Sequence, residues 1–226
     1  MITLHHYQID GIFLQVYDEA TSLAADWVAC ELQADNYHLR DMHFDEGDIV
    51  IDIGAHVGLF SMYLAKRWPV LKVLAFEPFP SNFRNCADNL RLNRVTNVVL
   101  SPQAITNDKR LLKMATDPGN SGGASAIVRT FGPEGTVSNI GSTTLDEVFS
   151  AHAIDRCKLL KIDCEGMEYE ILLGARILPK VEYLAGEFHA SPYLQSRGWC
   201  PERLHAYCSS FFEHNKTAIS FNQIPE

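Results

Sequence analysis

Two segments of the sequence carry residues that could bind a nucleoside. Residues 52–58, with the sequence DIGAHVG, end an apolar run and contain Gly54 and Gly58. Glycine lets the backbone pass close to a ligand and lets a helix pack tightly on a strand. Glu77 and Pro78 follow the next apolar run, KVLAF. A carboxylate at a strand end can accept both hydrogen bonds from a ribose diol, so the two segments together predict a nucleoside-binding site.

The residue at the centre of the glycine turn narrows the choice of nucleoside. A dinucleotide-binding turn normally has glycine there, because a pyrophosphate needs bare backbone at the start of the next helix. This chain has His56 instead. S-adenosylmethionine carries no phosphate, so its turn can accept a side chain at this position. We therefore expect S-adenosylmethionine to bind at Gly54, Ala55, His56 and Gly58, while Asp52 either joins this site or only caps the following helix.

A second group of polar residues stands at the ends of two later apolar runs. Asp163 and Glu165 follow KLLKI, and Glu187 and His189 end the run VEYLAGEFH. If both runs are strands of one parallel sheet, these side chains reach the cleft that holds the methyl donor. There they could accept a hydroxyl proton, bind the acceptor or balance positive charge. Three alternatives stay open: Glu165 caps the next helix, His189 is structural, and His56 packs or binds backbone rather than acting as a base.

The composition limits the class of protein. The chain has 226 residues, 46% of them hydrophobic, which fits one α/β domain with a substantial core. Its 19 Lys and Arg against 28 Asp and Glu give a net charge of -9, which argues against a nucleic-acid partner. The six cysteines include no C-x-x-C pair, a pattern typical of packed thiols rather than a zinc site. Because no apolar run could span a membrane and no signal segment stands at the start, we expect a cytoplasmic protein.

Alternating apolar strands and helices predict a doubly wound, mostly parallel α/β sheet. Its strands are expected at IVIDI, KVLAFE, NVVL, KLLKID, VEYLAGEF and KTAISF, and Ser81 is expected to cap a helix. Residues 2–17 alternate like a β-hairpin, and residues 22–34 have helical spacing. A short helix should begin at Thr143 or Thr144. Residues 106–141 carry Gly and Pro around short β-like pieces, which predicts a β-rich insertion at the active-site rim.

The chain resembles the FkbM-type methyltransferases, a branch of the class I S-adenosylmethionine-dependent enzymes, over residues 45–190. The matching segments, in family order, are DIVIDIGAHVGLFS, VLAFEPFPSNF, NSGGAS, STTLDEVF and LLKIDCEGMEYEILLGA. The resemblance implies a Rossmann-like class I methyltransferase domain, which we place at residues 45–226 after a hairpin, helix and lid that the pattern of residues 1–44 predicts. It implies donor binding by Asp52, Gly54, Glu77 and Asn82, adenine beside Gln103 and Ala104, and contacts to the methionine end or the acceptor from Asn120, Ser121 and Gly122.

The resemblance also implies the reaction, which is O-methylation of a hydroxyl on a small natural product or sugar. The alternatives are N- or carboxyl methylation, or an inactive module that only binds the donor. We expect a small-molecule acceptor, neither nucleic acid nor a membrane, and a dimer is compatible with the sequence. We expect transfer without a metal, and Mg²⁺ held by Asp163 and Glu187 is the alternative.

The sequence departs from the family pattern at two places. His56 stands where the family often has Asn. One strand follows the last helix, where a class I sheet usually ends in a two-strand hairpin. The C-terminal edge of the sheet is therefore abbreviated, or it is completed by the N-terminal segment or by a second subunit.

Overall fold

The computed structural model describes residues 1–117, 120–125, 137–213 and 216–223. For residues 115–138 only the backbone of these ranges is described, and elsewhere the side chains are described as well. The strands are β1 (Ile2–Ile9), β2 (Ile12–Glu19), β3 (Ile49–Ile53), β4 (Lys72–Phe76), β5 (Val98–Ser101), β6 (Ala104–Thr106), β7 (Leu112–Asp117), β8 (Asn120–Ser125), β9 (Val137–Ile140), β10 (Ser142–Thr144), β11 (Cys157–Ile162), β12 (Val181–Ala190) and β13 (Thr217–Gln223). The helices are α1 (Ala24–Ala34), α2 (Leu59–Arg67), α3 (Pro80–Leu92), α4 (Leu145–Ala151), α5 (Glu168–Gly174), α6 (Pro192–Ser196) and α7 (Pro201–Ser209).

The central sheet has six strands in the order β13-β12-β11-β3-β4-β5, and its neighbouring strands are parallel throughout. The chain builds one half outward from β3 to β5 and the other outward from β11 to β13, so the strand order reverses between β3 and β11. In such a sheet a ligand binds beyond the carboxyl ends of the strands at the reversal. The predicted doubly wound, parallel α/β sheet is confirmed.

Strand β11 lies in the middle of the sheet and is buried along its whole length. A central parallel strand is covered on both faces, which explains its nearly continuous apolar sequence. Leu160 belongs to the core on one face of the sheet and Leu159 to the core on the other. Lys158 and Lys161 are buried in the same strand. Each of these lysines therefore needs a charged or polar partner.

The N-terminal hairpin forms a separate two-stranded sheet, as predicted. Asp10 and Gly11 have φ angles of 47° and 79°, which suit a tight two-residue turn. The hairpin is attached to α3, where Asn89 Oδ1 accepts a hydrogen bond of 2.7 Å from the Tyr17 N–H. Among the described strands, β13 pairs with β12 alone. The alternative in which the N-terminal segment completes the C-terminal edge is therefore wrong.

Residues 106–141 contain the predicted β-rich insertion. Strands β8, β7 and β9 form an antiparallel sheet, and β6 pairs with β10 in parallel beside it. Arg110 ties the start of the insertion to α5, because its Nη2 lies 2.6 Å from Glu170 Oε2. Leu112 and Met114 on β7 line the cavity at the carboxyl ends of the central strands. Residues 118–119 and 126–136 of the insertion lie outside the described part of the chain.

Helix starts test the sequence predictions most sharply. Thr144 caps α4 in a capping box with Glu147, whose N–H lies 3.2 Å from Thr144 Oγ1, which confirms one of the two predicted starts. The prediction that Ser81 caps α3 is wrong, because Phe79 is the N-cap and Pro80 the first helical residue. Proline suits that position because its missing N–H would have no helical partner. Within the described residues, no helix combines the length and the apolar character needed to cross a membrane.

Candidate active site

The turn between β3 and α2 lies against the carboxyl end of β11. Gly54 has a φ of +81°, and a Cβ at this position would lie 1.8 Å from the carbonyl oxygen of Asp163. Gly58 has a φ of +87°, and a Cβ there would lie 2.6 Å from Cys86 Sγ on α3. Glycine is therefore required at both positions, by backbone conformation and by space. At Gly54 the space is limited by Asp163, so the turn is in direct contact with the end of β11.

His56, at the centre of this turn, adopts the left-handed conformation with a φ of 51°. Asn, Asp and His are the side-chain-bearing residues that best tolerate it, which accounts for Asn being frequent there in the family. The His56 N–H donates a hydrogen bond of 2.8 Å to Glu77 Oε2. Its Nε2 lies 3.9 Å from Asp18 Oδ1 on β2, and burial lowers the pKa of the ring more than Asp18 raises it. This geometry favours the packed, backbone-bonded interpretation of His56.

Glu77 follows β4 and is only 5% exposed, yet it lines the cavity. Its Oε1 accepts a hydrogen bond of 2.8 Å from the Phe79 N–H, and its Oε2 accepts the one from His56. Burial raises the pKa of the Glu77 carboxyl to about 7, although both N–H groups act in the opposite direction. Each carboxylate oxygen has a second lone pair. The side chain is therefore fixed in orientation and can still accept hydrogen bonds from a ligand.

One cavity extends over the carboxyl ends of β3, β4 and β11, and most of the predicted site residues line it. The predicted residues along its wall are Gly54, Ala55, His56, Glu77, Pro78, Asn82, Gln103, Ala104, Asp163, Glu165 and Glu187. Apolar side chains next to Ala104, among them Ile105, Leu112 and Met114, complete one end. The cavity thus brings the glycine turn, the acid after β4 and the acids after β11 into one space.

Three predicted residues whose side chains or backbone the structure describes, Asp52, Gly58 and His189, do not line this cavity. Asp52 is fully buried behind the turn, where Ser61 Oγ donates to its Oδ2 at 2.7 Å and Lys161 Nζ lies 3.3 Å from its Oδ1. Gly58, rather than Asp52, is the N-cap of α2, so the capping alternative for Asp52 is wrong. His189 lies behind Asp163 and Glu187. The predicted residues Asn120, Ser121 and Gly122 follow one another on β8, and their side chains lie outside the described part of the structure.

Asp163, Glu187 and His189 form a charged cluster at the cavity wall. His189 Nε2 lies 3.3 Å from Glu187 Oε2 and 4.0 Å from Asp163 Oδ1, and its Nδ1 lies 2.9 Å from Glu168 Oε1. Burial alone would lower the pKa of His189, but the three carboxylates outweigh it and hold this pKa well above its ordinary value. The carboxylates thus favour the protonated ring, which disfavours the interpretation of His189 as a general base.

Glu168 is a buried residue of the site that the sequence analysis missed. Its Oε1 accepts hydrogen bonds from the N–H groups of Cys164 at 2.9 Å and Gly166 at 3.2 Å. These bonds, together with the contact to His189, lower the pKa of Glu168 although its burial acts in the opposite direction. Helix α5 has Met167 as its N-cap, so the alternative in which Glu165 caps this helix is wrong. The sequence did contain a signal for Glu168, because it follows Glu165 by three residues in the same acidic turn.

Helix α1 supplies a second set of cavity residues that was missed. Ala24, Trp27, Val28 and Glu31 line the cavity and recur at helical spacing. The Trp27 side chain is 60% exposed, and Glu31 Oε2 accepts a hydrogen bond of 2.5 Å from Tyr37 Oη. The helical pattern of residues 22–34 was visible in the sequence. Which face of the helix covers the cavity depends on tertiary packing, which the pattern does not contain.

Lys161 is a further residue that the sequence analysis missed, and among the described residues lining the cavity it is the one Lys or Arg. Its Nζ donates a hydrogen bond of 3.0 Å to the Gly54 carbonyl. Nζ also lies 3.3 Å from Asp52 Oδ1 and 3.7 Å from Asp163 Oδ2. The signal in the sequence was a lysine inside an apolar run that reads as a fully buried strand.

Residues 52–215 match the family described as Methyltransferase FkbM domain. Methyltransferase sdnD of Sordaria araneosa is 26% identical over 187 residues, which cover 70% of this chain and 71% of that protein. The 31-O-demethyl-FK506 methyltransferase FkbM of Streptomyces tacrolimicus is 25% identical over 195 residues, which cover 73% of this chain and 75% of that protein.

A solved structure is similar to part of the chain. It is the precorrin-6y C5,15-methyltransferase from Geobacter metallireducens GS-15, with 18% sequence identity and a TM-score of 0.38 over 68% of this chain. The chain spans 58% of that structure's length. The family match, in contrast, runs from the end of β3 past α7 and so includes both halves of the cavity. The chain belongs to the FkbM methyltransferase family and is an S-adenosylmethionine-dependent methyltransferase.

Proposed function

We propose that this enzyme transfers a methyl group from S-adenosylmethionine to a hydroxyl of a small natural product or sugar. The observation that carries the proposal is the contact between the glycine turn and Asp163, because a Cβ at Gly54 would meet the Asp163 carbonyl. A carboxylate able to accept a proton thus stands beside the turn that would hold the donor. Glu187 lines the same cavity. This proximity supports proton removal at the point of methyl transfer.

The proposed donor site uses the strand ends on one side of the reversal. Glu77 accepts the ribose hydroxyls, while Gln103 and Ala104 flank the adenine beside the apolar wall of Ile105 and Leu112. S-adenosylmethionine, when bound, supplies the methyl group from its positively charged sulfur. The lining residues fit this donor, because the glycine turn gives access to backbone and Glu77 presents a fixed carboxylate at the cavity wall. Asn82 of α3 lines the same end.

We assign the role of proton acceptor to Asp163. Its side chain is 31% exposed, which leaves it accessible from the cavity. Burial raises the pKa of the Asp163 carboxyl above its ordinary value, although Lys161 and His189 act in the opposite direction. A carboxylate with a raised pKa holds a proton more readily than an ordinary Asp. In this assignment Glu187, paired with His189, orients the acceptor, and Glu165 contributes negative charge near the sulfonium.

Transfer to oxygen is proposed over transfer to nitrogen or to a carboxylate. The name of the Streptomyces tacrolimicus relative records an O-methylation, which supports a hydroxyl acceptor. The described cavity wall also presents Glu31, Asp163, Glu165 and Glu187, while its one Lys or Arg is engaged by Asp52. A carboxylate acceptor would be repelled there. The negative cavity and the net charge of -9 likewise support a small-molecule acceptor rather than nucleic acid.

We propose that the reaction needs no metal ion. His189 already supplies a positive charge between Asp163 and Glu187, so a second cation is not required to offset their repulsion. A second mechanism, with Mg²⁺ at these side chains, draws on one observation: ligand atoms of the three residues lie within 4.8 Å of one another. The two mechanisms differ in their response to a chelator. Activity that disappears with EDTA and returns with Mg²⁺ would establish the second.

We further propose that residues 1–44 form a lid unit on a catalytic domain of residues 45–226. The cavity-lining face of α1 supports this division. The free thiols of all six cysteines support a cytoplasmic protein.

The experiment that tests the reaction uses S-adenosylmethionine with a tritiated methyl group and a panel of small alcohols, sugars, amines and carboxylic acids. The wild type is expected to form methyl ethers, which survive alkali, whereas methyl esters release methanol. Asp163→Asn is expected to lower turnover by roughly 100-fold, because general-base catalysis contributes on that scale. Glu46→Gln, an exposed acid outside the cavity, serves as the control. A methylamine or a methyl ester as the product would contradict the proposal.

A further inference from the structure

Lys161 connects the two halves of the site from inside the sheet. Its side chain is 3% exposed, and its Nζ meets three groups at the ends of two neighbouring strands. These are the carbonyl of Gly54 after β3, the carboxylate of Asp52 on β3 and the carboxylate of Asp163 after β11. A buried ammonium is costly unless it is paired and hydrogen-bonded. These contacts satisfy Lys161 and at the same time fix the three groups relative to one another.

Neighbouring carboxylates keep Lys161 in its charged form. Burial would lower the pKa of Lys161, but the carboxylates of Asp52 and Asp163 outweigh burial and raise this pKa above its ordinary value. Lys161 therefore stays protonated and cannot itself accept a proton. It acts as a fixed positive charge and a hydrogen-bond donor.

The hydrogen bond from Lys161 to the Gly54 carbonyl fixes the orientation of one peptide in the glycine turn. This turn is called the donor turn below, because the proposed function places S-adenosylmethionine there. The N–H groups of Gly54 and Ala55 both donate to the Phe76 carbonyl at 3.0 Å. Lys161 holds the carbonyl that stands between those two N–H groups. The turn is thus anchored to β4 through its N–H groups and to β11 through its carbonyl. Removing the ammonium would leave that part-buried carbonyl without this donor.

The charged groups around Asp163 show what Lys161 contributes to the ionisation of this residue. Facing Asp163 are Lys161 on β11, His189 and Glu187 on β12, Glu168 on α5 and Glu31 on α1. Two of these five groups are cations. Both cations have a nearer carboxylate partner, but Lys161 Nζ lies 3.7 Å from the Asp163 carboxylate and His189 Nε2 lies 4.0 Å from it. Lys161 is therefore a principal source of positive charge beside the Asp163 carboxylate.

We propose that Lys161 is a positioning residue that couples the donor turn to the proton acceptor. It holds the Gly54 carbonyl in the orientation that binds the donor, and it stabilises the carboxylate of Asp163. The inference rests on the proposed function, because it assigns donor binding to the turn and proton removal to Asp163. Lys161 touches neither reacting group in this account and acts through the two residues that it holds.

The test compares Lys161→Met with Lys158→Met in chelator-treated protein. Lys158 is a matched control, since it is buried in the same strand but pairs with Glu182 at 3.1 Å, away from the cavity. Binding of S-adenosylhomocysteine is measured by calorimetry. The titration midpoint of Asp163 is measured from its carboxyl ¹³C resonance, assigned with Asp163→Asn. Neither measurement needs the methyl acceptor.

Lys161→Met is expected to weaken S-adenosylhomocysteine binding by about tenfold or more and to raise the Asp163 midpoint by at least about one pH unit. Lys158→Met should change neither quantity, although it destabilises the fold. Because Lys161→Met leaves Asp52 as a buried uncompensated charge, Lys161→Met with Asp52→Asn is the second variant. This double variant removes both charges of the pair, and the Asp163 shift should persist in it.

The outcomes distinguish failure of the role proposed for Lys161 from failure of the proposed function. If wild-type protein binds S-adenosylhomocysteine but either quantity is unchanged in both Lys161 variants, the coupling role of Lys161 is overturned. If Lys158→Met shifts the Asp163 midpoint as much as Lys161→Met does, the effect is general destabilisation and the inference is also overturned. Failure of the wild type itself to bind S-adenosylhomocysteine contradicts the proposed function instead.

Discussion

At the scale of single residues, the site depends on carboxylates held in unlike surroundings. Glu77 accepts hydrogen bonds from two backbone N–H groups, and burial nevertheless raises its pKa to about 7. Glu187 is half-buried beside His189, which lowers the pKa of Glu187 although burial alone would raise it. Asp163 has a raised pKa. The same functional group can therefore serve to bind, to orient and to accept a proton in one cavity, because its neighbours differ.

The raised pKa of Glu77 predicts pH-dependent donor binding. Both ribose hydroxyls donate to the ionised carboxylate in our account, so binding requires Glu77 to lose its proton. S-adenosylmethionine affinity should be constant above the pKa of about 7 and should fall as the pH drops below it, by up to about tenfold per pH unit. Calorimetry across this range measures the effect.

Glu77→Gln tests whether Glu77 is the group responsible. Above the pKa of the wild-type residue, the variant should bind the donor about 10- to 100-fold more weakly, the range expected for charge-assisted hydrogen bonds. Its affinity should also lose the pH dependence, because the amide does not titrate. Glu46→Gln should behave like the wild type in both respects. A pH dependence that survives in Glu77→Gln would assign the titration to another cavity group.

At the scale of secondary-structure elements, the turn from β3 to α2 is the most constrained segment of the site. Gly54→Ala would place a Cβ on the carbonyl oxygen of Asp163 and would also force a side chain into a φ of +81°. We expect a loss in the free energy of unfolding of about 3 kcal/mol or more, from overpacking added to the left-handed conformation. Urea unfolding of the variant and the wild type measures the loss.

Gly47→Ala separates the two contributions to that loss. Gly47 has a similar φ of +83°, but a Cβ there has no neighbour within 4 Å among the described residues. The expected loss is about 1 to 2 kcal/mol, from backbone conformation alone. Equal losses in the two variants would show that the contact between the turn and Asp163 does not constrain the fold.

The same elements show how far the sequence could predict the structure. IVIDI and KLLKID were identifiable as central strands, because a nearly continuous apolar run has few other uses in a parallel sheet. Once those strands are neighbours, the contact between the turn and Asp163 follows from topology. The short strands β6 and β10 were missed, since three residues carry no measurable period.

The missed site residues share a physical cause. Lys161 meets Gly54 and Asp52 from another strand, Glu168 meets His189 from another element, and Glu31 lines the cavity from α1. A local pattern does not encode which distant elements meet. Ser81 was chosen as a cap from residue type alone, whereas the direction in which the chain leaves β4 makes Phe79 the N-cap. The prediction that His56 occupies the turn centre needed only the sequence, but its left-handed conformation needed the structure.

At the scale of the whole molecule, a parallel sheet with one reversal places the donor turn and the acidic cluster on the same edge. Helix α1 closes one side of the cavity, and β7 of the insertion closes another. The N-terminal hairpin is fastened to α3 and so stands behind the donor turn, with Asp18 near His56. The elements that close these two sides of the cavity are thus separate from the strands that carry the glycine turn and Asp163.

The central claim is that the cavity binds S-adenosylmethionine rather than a dinucleotide. Calorimetry of the wild-type chain with S-adenosylmethionine and, separately, with NAD at a pH above the pKa of Glu77 tests it most directly. The account predicts binding of one S-adenosylmethionine per chain and no binding of NAD, because His56 stands where a pyrophosphate would need bare backbone. Binding of NAD without binding of S-adenosylmethionine would contradict the account.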